Sequence, residues 1–218
     1  MLIDHAVLKE RLHRTKDREQ TYLIGLDEVG RGPLIGDVVA AAVMVPLCVE
    51  LDSDATICWS SVTDSKKLSE KRREALAEQI KAQAVGYAIG RASSVEIDRI
   101  NILQASLLAM QRAVKNLQAQ YAAIEPLMAL VDGRHVPDLP VTRYAVIKGD
   151  NYFRSIGAAS ILAKVTRDQE MLELHRQYPD YGIAQHKGYP TKQHLAALEQ
   201  FGPTPVHRTS FGPVRRLL

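Results

Sequence analysis

Residues 25–33 read Gly-Leu-Asp-Glu-Val-Gly-Arg-Gly-Pro, placing two adjacent carboxylates, Asp27 and Glu28, directly before a glycine-arginine-glycine turn. Carboxylate oxygens suit hard divalent cations. Glycines let backbone amides approach an anion, and the arginine fork matches a phosphate. An acidic metal site beside a phosphate grip is the equipment for cutting a nucleic acid strand. Adjacent side chains on a strand face opposite ways, so the pair can share one site only if the strand ends there.

The elements around this segment must supply that geometry. Ile24 and Leu26 before it and Val38–Val45 after it are strand-like apolar runs. Strands are expected at 22–29, 37–46, 85–91, 127–132 and 142–150, with 49–63 as a polar loop. Ser69 is placed to cap a helix running to about Gln83. Ser93 with Glu96 forms a capping-box pattern for a short helix. Asn101 then caps a longer one, in which Leu103, Leu107, Met110, Val114 and Leu117 recur at spacings of 4, 3, 4 and 3. Ser155–Tyr178 and Thr191–Gln200 read as further helices. This order indicates an α/β domain with a mixed sheet and a helical C-terminal part. Residues 1–20 are expected to be a charged arm, and 21–218 a single domain that includes the C-terminal helical segment. Three of the expected strands end on acids: Asp27–Glu28, Asp132 and Asp150. Sites in open α/β sheets collect at strand ends, so these four carboxylates can converge.

The 218 residues, 46% hydrophobic and 24% charged, are enough for a sizeable core and exclude a disordered chain. The net charge of +3 is too small to prove a polyanionic partner. No apolar run has the length of a membrane span, and the polar N-terminus lacks the pattern of a signal or transit peptide. Cys48 and Cys58 have no metal-ligand partner set, so reduced thiols in a cytoplasmic protein are expected. His186, His194 and His207 lack zinc-site spacing and read as surface or phosphate-side residues. Asp168 reads as a helix partner of Lys164, four residues earlier. Ser160 and Lys164 read as parts of a packed helix near the site rather than as a nucleophile pair.

Beyond these local readings, the chain resembles bacterial ribonuclease HII, the type 2 ribonuclease H, over about residues 22–216. The resemblance is carried by the segment at 25–33, Asp-Ser-Lys-Lys-Leu-Ser at 64–69, Val-Asp-Gly at 131–133 and Lys-Gly-Asp at 148–150. Ala-Ala-Ser-Ile-Leu-Ala-Lys-Val-Thr-Arg-Asp at 158–168 and Gln-His-Lys-Gly-Tyr-Pro at 185–190 complete it. It implies a ribonuclease H-like fold with a five-stranded mixed sheet flanked by helices. It also implies an endoribonuclease that hydrolyses the RNA strand of RNA–DNA hybrids and cuts at lone ribonucleotides in duplex DNA. The family's metal-binding acids fall on Asp27, Glu28, Asp132 and Asp150, served by Mg2+ or Mn2+ in a two-metal mechanism. Its substrate-contacting turn falls on Gly30, Arg31 and Gly32, and its junction-sensing tyrosine on Tyr189. Lys66 and Lys67 are candidate phosphate contacts, and a monomer is expected. One departure is the bulky Asn151-Tyr152-Phe153-Arg154, where the family usually carries small residues. The type 3 enzyme usually adds a substrate-binding domain of about 80 residues, which the short arm and Arg31 argue against. A non-catalytic hybrid-binding module and a nucleotide-binding loop are the other readings. The second lacks a P-loop ending.

Overall fold

The computed structural model describes residues 1–52, 57–62 and 68–218, and the side chains of all of these except 57 and 58. Lys66 and Lys67 lie outside the described residues. Strands β1 (Tyr22–Val29), β2 (Val38–Pro46), β3 (Gly86–Ala92), β4 (Met128–Asp132) and β5 (Arg143–Val146) form one sheet in the order β3-β2-β1-β4-β5. The β1–β2 and β2–β3 pairs are antiparallel, whereas β1–β4 and β4–β5 are parallel. The sheet is therefore mixed, and the C-terminal ends of β1, β4 and β5 lie together.

Helices cover both faces. They are α1 (His5–His13), α2 (Leu47–Leu51), α3 (Ile57–Ser61), α4 (Glu70–Gln83), α5 (Ser94–Gln120), α6 (Arg154–Gln177), α7 (Ile183–His186), α8 (Lys192–Phe201) and α9 (Gly212–Arg215). Strand β2 is apolar without alternation because both faces are buried. Ala40, Ala42 and Met44 pack with Ala109, Met110 and Ala113 of α5, while Ala41, Val43 and Val45 pack with Ala158, Ile161 and Leu162 of α6. Close approach is built into β1, where a β-carbon on Gly25 would lie 2.1 Å from the Ser155 carbonyl carbon. That contact seats the start of α6 against the strand bearing Asp27.

The helix signals hold in detail. Ser69 Oγ accepts from the Arg72 amide at 3.4 Å, and Ser93 with Glu96 closes a capping box. Asn101 breaks α5 with φ +67°, and its Oδ1 accepts from the amides of Leu103 and Gln104, capping the longer stretch as expected. Two expectations change. Residues 49–63, read as a loop, include part of α2 and all of α3. The fifth strand stops at Val146 rather than running to Asp150, because Lys148 takes a left-handed conformation (φ +55°) and starts a 3-10 turn at Gly149–Asn151. The N-terminal arm is helical and packed: Leu8 and Leu12 are buried with Phe153 and Ile156, and Leu2 bridges Ala145 on β5. Phe153 and Tyr152, the bulky departures, meet this arm, His5 stacking on Tyr152 at 3.6 Å between ring centres. Among the described residues, no helix is long and apolar enough to cross a membrane.

Candidate active site

Asp27 is buried near the end of β1, its Oδ1 accepting the Glu28 amide at 2.7 Å. Leu26 pairs with Val131 in the parallel register, so Asp132 is the next residue along β4 beside Asp27. Burial pushes the Asp27 carboxyl well above the ordinary range, and the charges of Glu28 and Asp132 add to the rise. A hydrogen bond from Ser160 of α6 opposes it. Glu28 is also raised, by burial first and by Asp132, against the opposing charge of Arg31, whose Nη1 meets Glu28 Oε1 at 3.0 Å. Strand β1 continues to Val29, one residue beyond the pair, so the adjacent acids do face opposite ways. Asp27 turns to Ser160 of α6, while Glu28 lines a small cleft with Met110 of α5, Arg31 and Asp132. They meet at the sheet edge through Asp132, which perturbs both.

Asp150 is buried in the 3-10 turn, with Asn151 Nδ2 donating to its Oδ1 at 3.2 Å. The turn is tied to the site because the Gly149 amide donates to Asp132 Oδ1 at 2.7 Å. Asp168 pairs with Lys164 at 2.6 Å, as its helical spacing indicates. Among the described residues, no three Asp, Glu, His or Cys side chains stand as a ready-made ion cage. Glu28 is held on Arg31 and Asp132 on Gly149. The donor set is nonetheless all oxygen; burial with the charges of Glu28 and Asp132 leaves Asp27 short of countercharge, and Arg31 offsets the rise at Glu28 only in part. A hard divalent cation fits that chemistry.

The glycine turn lies beside these acids. Gly30 has φ +94°, and a β-carbon there would lie 2.2 Å from Arg167 Nε. A β-carbon on Gly32 would lie 3.2 Å from Cε1 of Tyr189, so the tyrosine ring lies over this glycine. Leu34 donates its amide to Gly188 O at 2.8 Å, joining the turn to the Tyr189 segment. Behind them lie two fully buried arginines. Arg208 donates to the carbonyls of Gly30, Arg31, Pro33 and Gly36 at 2.7–3.2 Å. Arg167 donates to those of Ile35, Asp37 and Lys187 at 3.0–3.3 Å. Burial and the charge of Arg167 pull Arg208 down to about 9, so it remains a cation at neutral pH.

Sequence spacing missed these arginines, and it placed the histidines wrongly. His186, His194 and His207 are buried beneath Tyr189. The Thr204 amide donates to His207 Nδ1 at 2.9 Å, His207 Nε2 meets His194 Nε2 at 3.3 Å, and His194 Nδ1 meets Tyr189 O at 3.0 Å. The Thr204 amide can only donate and Tyr189 O only accept, and the Thr204 hydroxyl, also at His207 Nδ1, can donate there too. The chain is therefore consistent when both imidazoles are neutral, with the proton on His207 Nε2 and on His194 Nδ1. His186 stacks on His194 at 4.4 Å.

Comparison with known proteins identifies the family and the fold. The family model described as Ribonuclease HII matches residues 24–214. The crystal structure of the ribonuclease H2 from Pyrococcus horikoshii OT3 superposes with a TM-score of 0.71 at 26% identity, covering 90% of this chain and 97% of that one. The ribonuclease HII of Archaeoglobus fulgidus, solved in complex with PCNA, gives 0.68 at 26% identity, covering 89% and 96%. Bst-RNase HIII, solved in complex with Mn2+, gives 0.70 at 19% identity, covering 94% and 71%, and shares the fold. Family membership carries metal-dependent cleavage of the RNA strand in RNA–DNA hybrids. By that match over nearly its whole length, the chain belongs to the ribonuclease HII family and is an endoribonuclease.

Proposed function

We propose that this endoribonuclease also acts on single ribonucleotides embedded in duplex DNA, cutting on their 5′ side and leaving 5′-phosphate and 3′-hydroxyl ends. Asp27, Glu28, Asp132 and Asp150 hold Mg2+ or Mn2+ in this reading. Such ions supply activation of a water and neutralisation of charge at the leaving oxygen. Ser160 fixes the Asp27 carboxylate, and the Gly149 amide fixes Asp132. Arg31 partly neutralises Glu28 and stands ready for a phosphate once cations take that task. Lys66 and Lys67 are assigned to flanking phosphates from the sequence.

The observation that carries this reading is the continuity of cutting and reading groups. Arg31 touches Glu28, and the next residue, Gly32, lies under the Tyr189 ring. The 2′-hydroxyl is the group that marks RNA at one position, and the sugar of a neighbouring deoxynucleotide is an apolar face for an aromatic ring. A turn against a tyrosine can test both at once.

The test uses end-labelled duplex DNA with one ribonucleotide, incubated with and without Mg2+, beside a full RNA–DNA hybrid. Cleavage 5′ of the ribonucleotide that requires the ion is expected. Cleavage of the hybrid alone would remove the single-ribonucleotide assignment.

A further inference from the structure

We infer that Arg208 is a positioning residue that aims the amides of Arg31 and Gly32 at an oxygen of the substrate strand. This rests on the reading of single-ribonucleotide cleavage above. The argument starts from peptide geometry. In a trans peptide the carbonyl and the following N–H point in opposite directions, and no peptide among the described residues is cis. Arg208 pulls the carbonyls of Gly30 and Arg31 inward. The amides in the same two peptides, those of Arg31 and Gly32, therefore point outward, at residues that are themselves exposed. The same rule is visible one step on. Arg208 takes the Pro33 carbonyl at 2.7 Å, and the Leu34 amide, turned the other way, meets Gly188 O.

Two consecutive outward amides form a concavity for an anionic or hydroxyl oxygen. The fully buried guanidinium behind them adds positive charge to that face. Among the described residues Arg208 forms no ion pair, and a buried cation is costly unless its donors are satisfied. Four carbonyls satisfy it, and only a planar fork with five N–H donors reaches four acceptors in this layout. A lysine keeps the charge and loses the fork. Arg208 is itself anchored by its successors: Asp98 accepts from the amides and hydroxyls of Thr209 and Ser210 at 2.6–2.9 Å.

The test is steady-state cleavage of the single-ribonucleotide duplex by full-length Arg208→Lys enzyme in Mg2+, below its melting temperature. KM should rise about tenfold while kcat stays within about threefold, because the carboxylates are untouched. Affinity for an all-DNA duplex of the same sequence should stay within about twofold. A folded Arg208→Lys enzyme with wild-type KM, or with reduced kcat alone, overturns the proposal. A merely structural role would lower the melting temperature and leave KM in place. If Arg208→Lys does not fold, Asp98→Ala, a surface change that frees the 209–210 anchor, should raise KM several-fold, and an unchanged KM overturns the proposal. If the wild type cuts the hybrid and leaves the single ribonucleotide intact, the cleavage reading fails and Arg208 is judged by KM on the hybrid.

Discussion

The Asp132 carboxylate accepts the Gly149 amide at 2.7 Å, so the acid that closes β4 also fixes the turn bearing Asp150. Two jobs, charge and hydrogen bond, can be separated by substitution. Asp132→Asn keeps an oxygen for Gly149 and removes the charge. It should fold with wild-type stability and lose cleavage. Asp132→Ala removes both, leaving a buried donor unpaired at a cost of about 1–3 kcal/mol. Urea denaturation of the two variants measures the difference. Equal stabilities would show that the Gly149 bond does not hold the turn.

Asp27→Asn should abolish cleavage and stabilise the protein without metal, with a dependence on pH. The folded carboxyl is raised above its ordinary 3.8, so its contribution to stability is complete below that value and is lost as pH rises through the folded value. The charged, crowded form thus burdens the wild type most at pH 8. The melting-temperature gain of Asp27→Asn should be largest there and fade toward pH 4. Mg2+ should raise the wild-type melting temperature and have little effect on the variant. A gain independent of pH, or equal Mg2+ shifts, would contradict the role of Asp27.

Much of this site was legible in the sequence because strand ends are local signals. Asp27, Glu28 and Asp132 follow apolar runs, and the capping residues Ser69, Ser93 and Asn101 announce their helices within three residues. Asp150 was harder. Residues 142–150 read as one continuous strand, and nothing in the local pattern shows Lys148 turning left-handed so that Gly149 reaches Asp132. Arg167, Arg208 and the three histidines were hidden for a different reason. Charged side chains read as solvated unless a partner is visible, and their partners are carbonyls or rings from distant segments. Arg208 meets Gly30 across 178 residues. Ser160 carried a faint signal, a hydroxyl among the alanines and aliphatics of α6.

The histidine relay predicts acid sensitivity. His207 is pushed down to about 4, by burial first and then by His194, and His194 is lowered by burial. Bases lowered in the folded state contribute their stability above the ordinary 6.5 and lose it as pH falls toward the folded value, by up to about 1.4 kcal/mol per pH unit for one site. The acids Glu28, Asp37 and Glu50, each raised by desolvation, slope the other way. A comparison with His207→Gln cancels them. The wild type's melting-temperature advantage over that variant should shrink from pH 7.5 to pH 5. A constant difference would mean that His207 is not held neutral by its surroundings.

Tyr189 lies 42% exposed with its ring over Gly32, free for a sugar or base on its outer side. Its carbonyl is held by His194 and its amide by the His186 carbonyl, so the ring's position is fixed from the backbone and not by the phenol. Removing the hydroxyl should therefore cost little, and removing the ring should cost much. On a single-ribonucleotide duplex, Tyr189→Phe should stay within about threefold of wild-type kcat/KM, whereas Tyr189→Ala should lose about tenfold or more, in line with the 1–3 kcal/mol of one aromatic stack. A full hybrid, in which every sugar of the RNA strand carries a 2′-hydroxyl and that strand has no RNA-to-DNA junction, should show a smaller gap between the two variants. Product ends add a second check. With the 2′-hydroxyl as a positioning group, both variants should still cut 5′ of the ribonucleotide and leave a 5′-phosphate. Were that hydroxyl the nucleophile, the cut would fall on the 3′ side with a cyclic phosphate, and four carboxylates would have no task. Equal activity of the Phe and Ala variants would remove the stacking role, and a cyclic phosphate product would remove the mechanism.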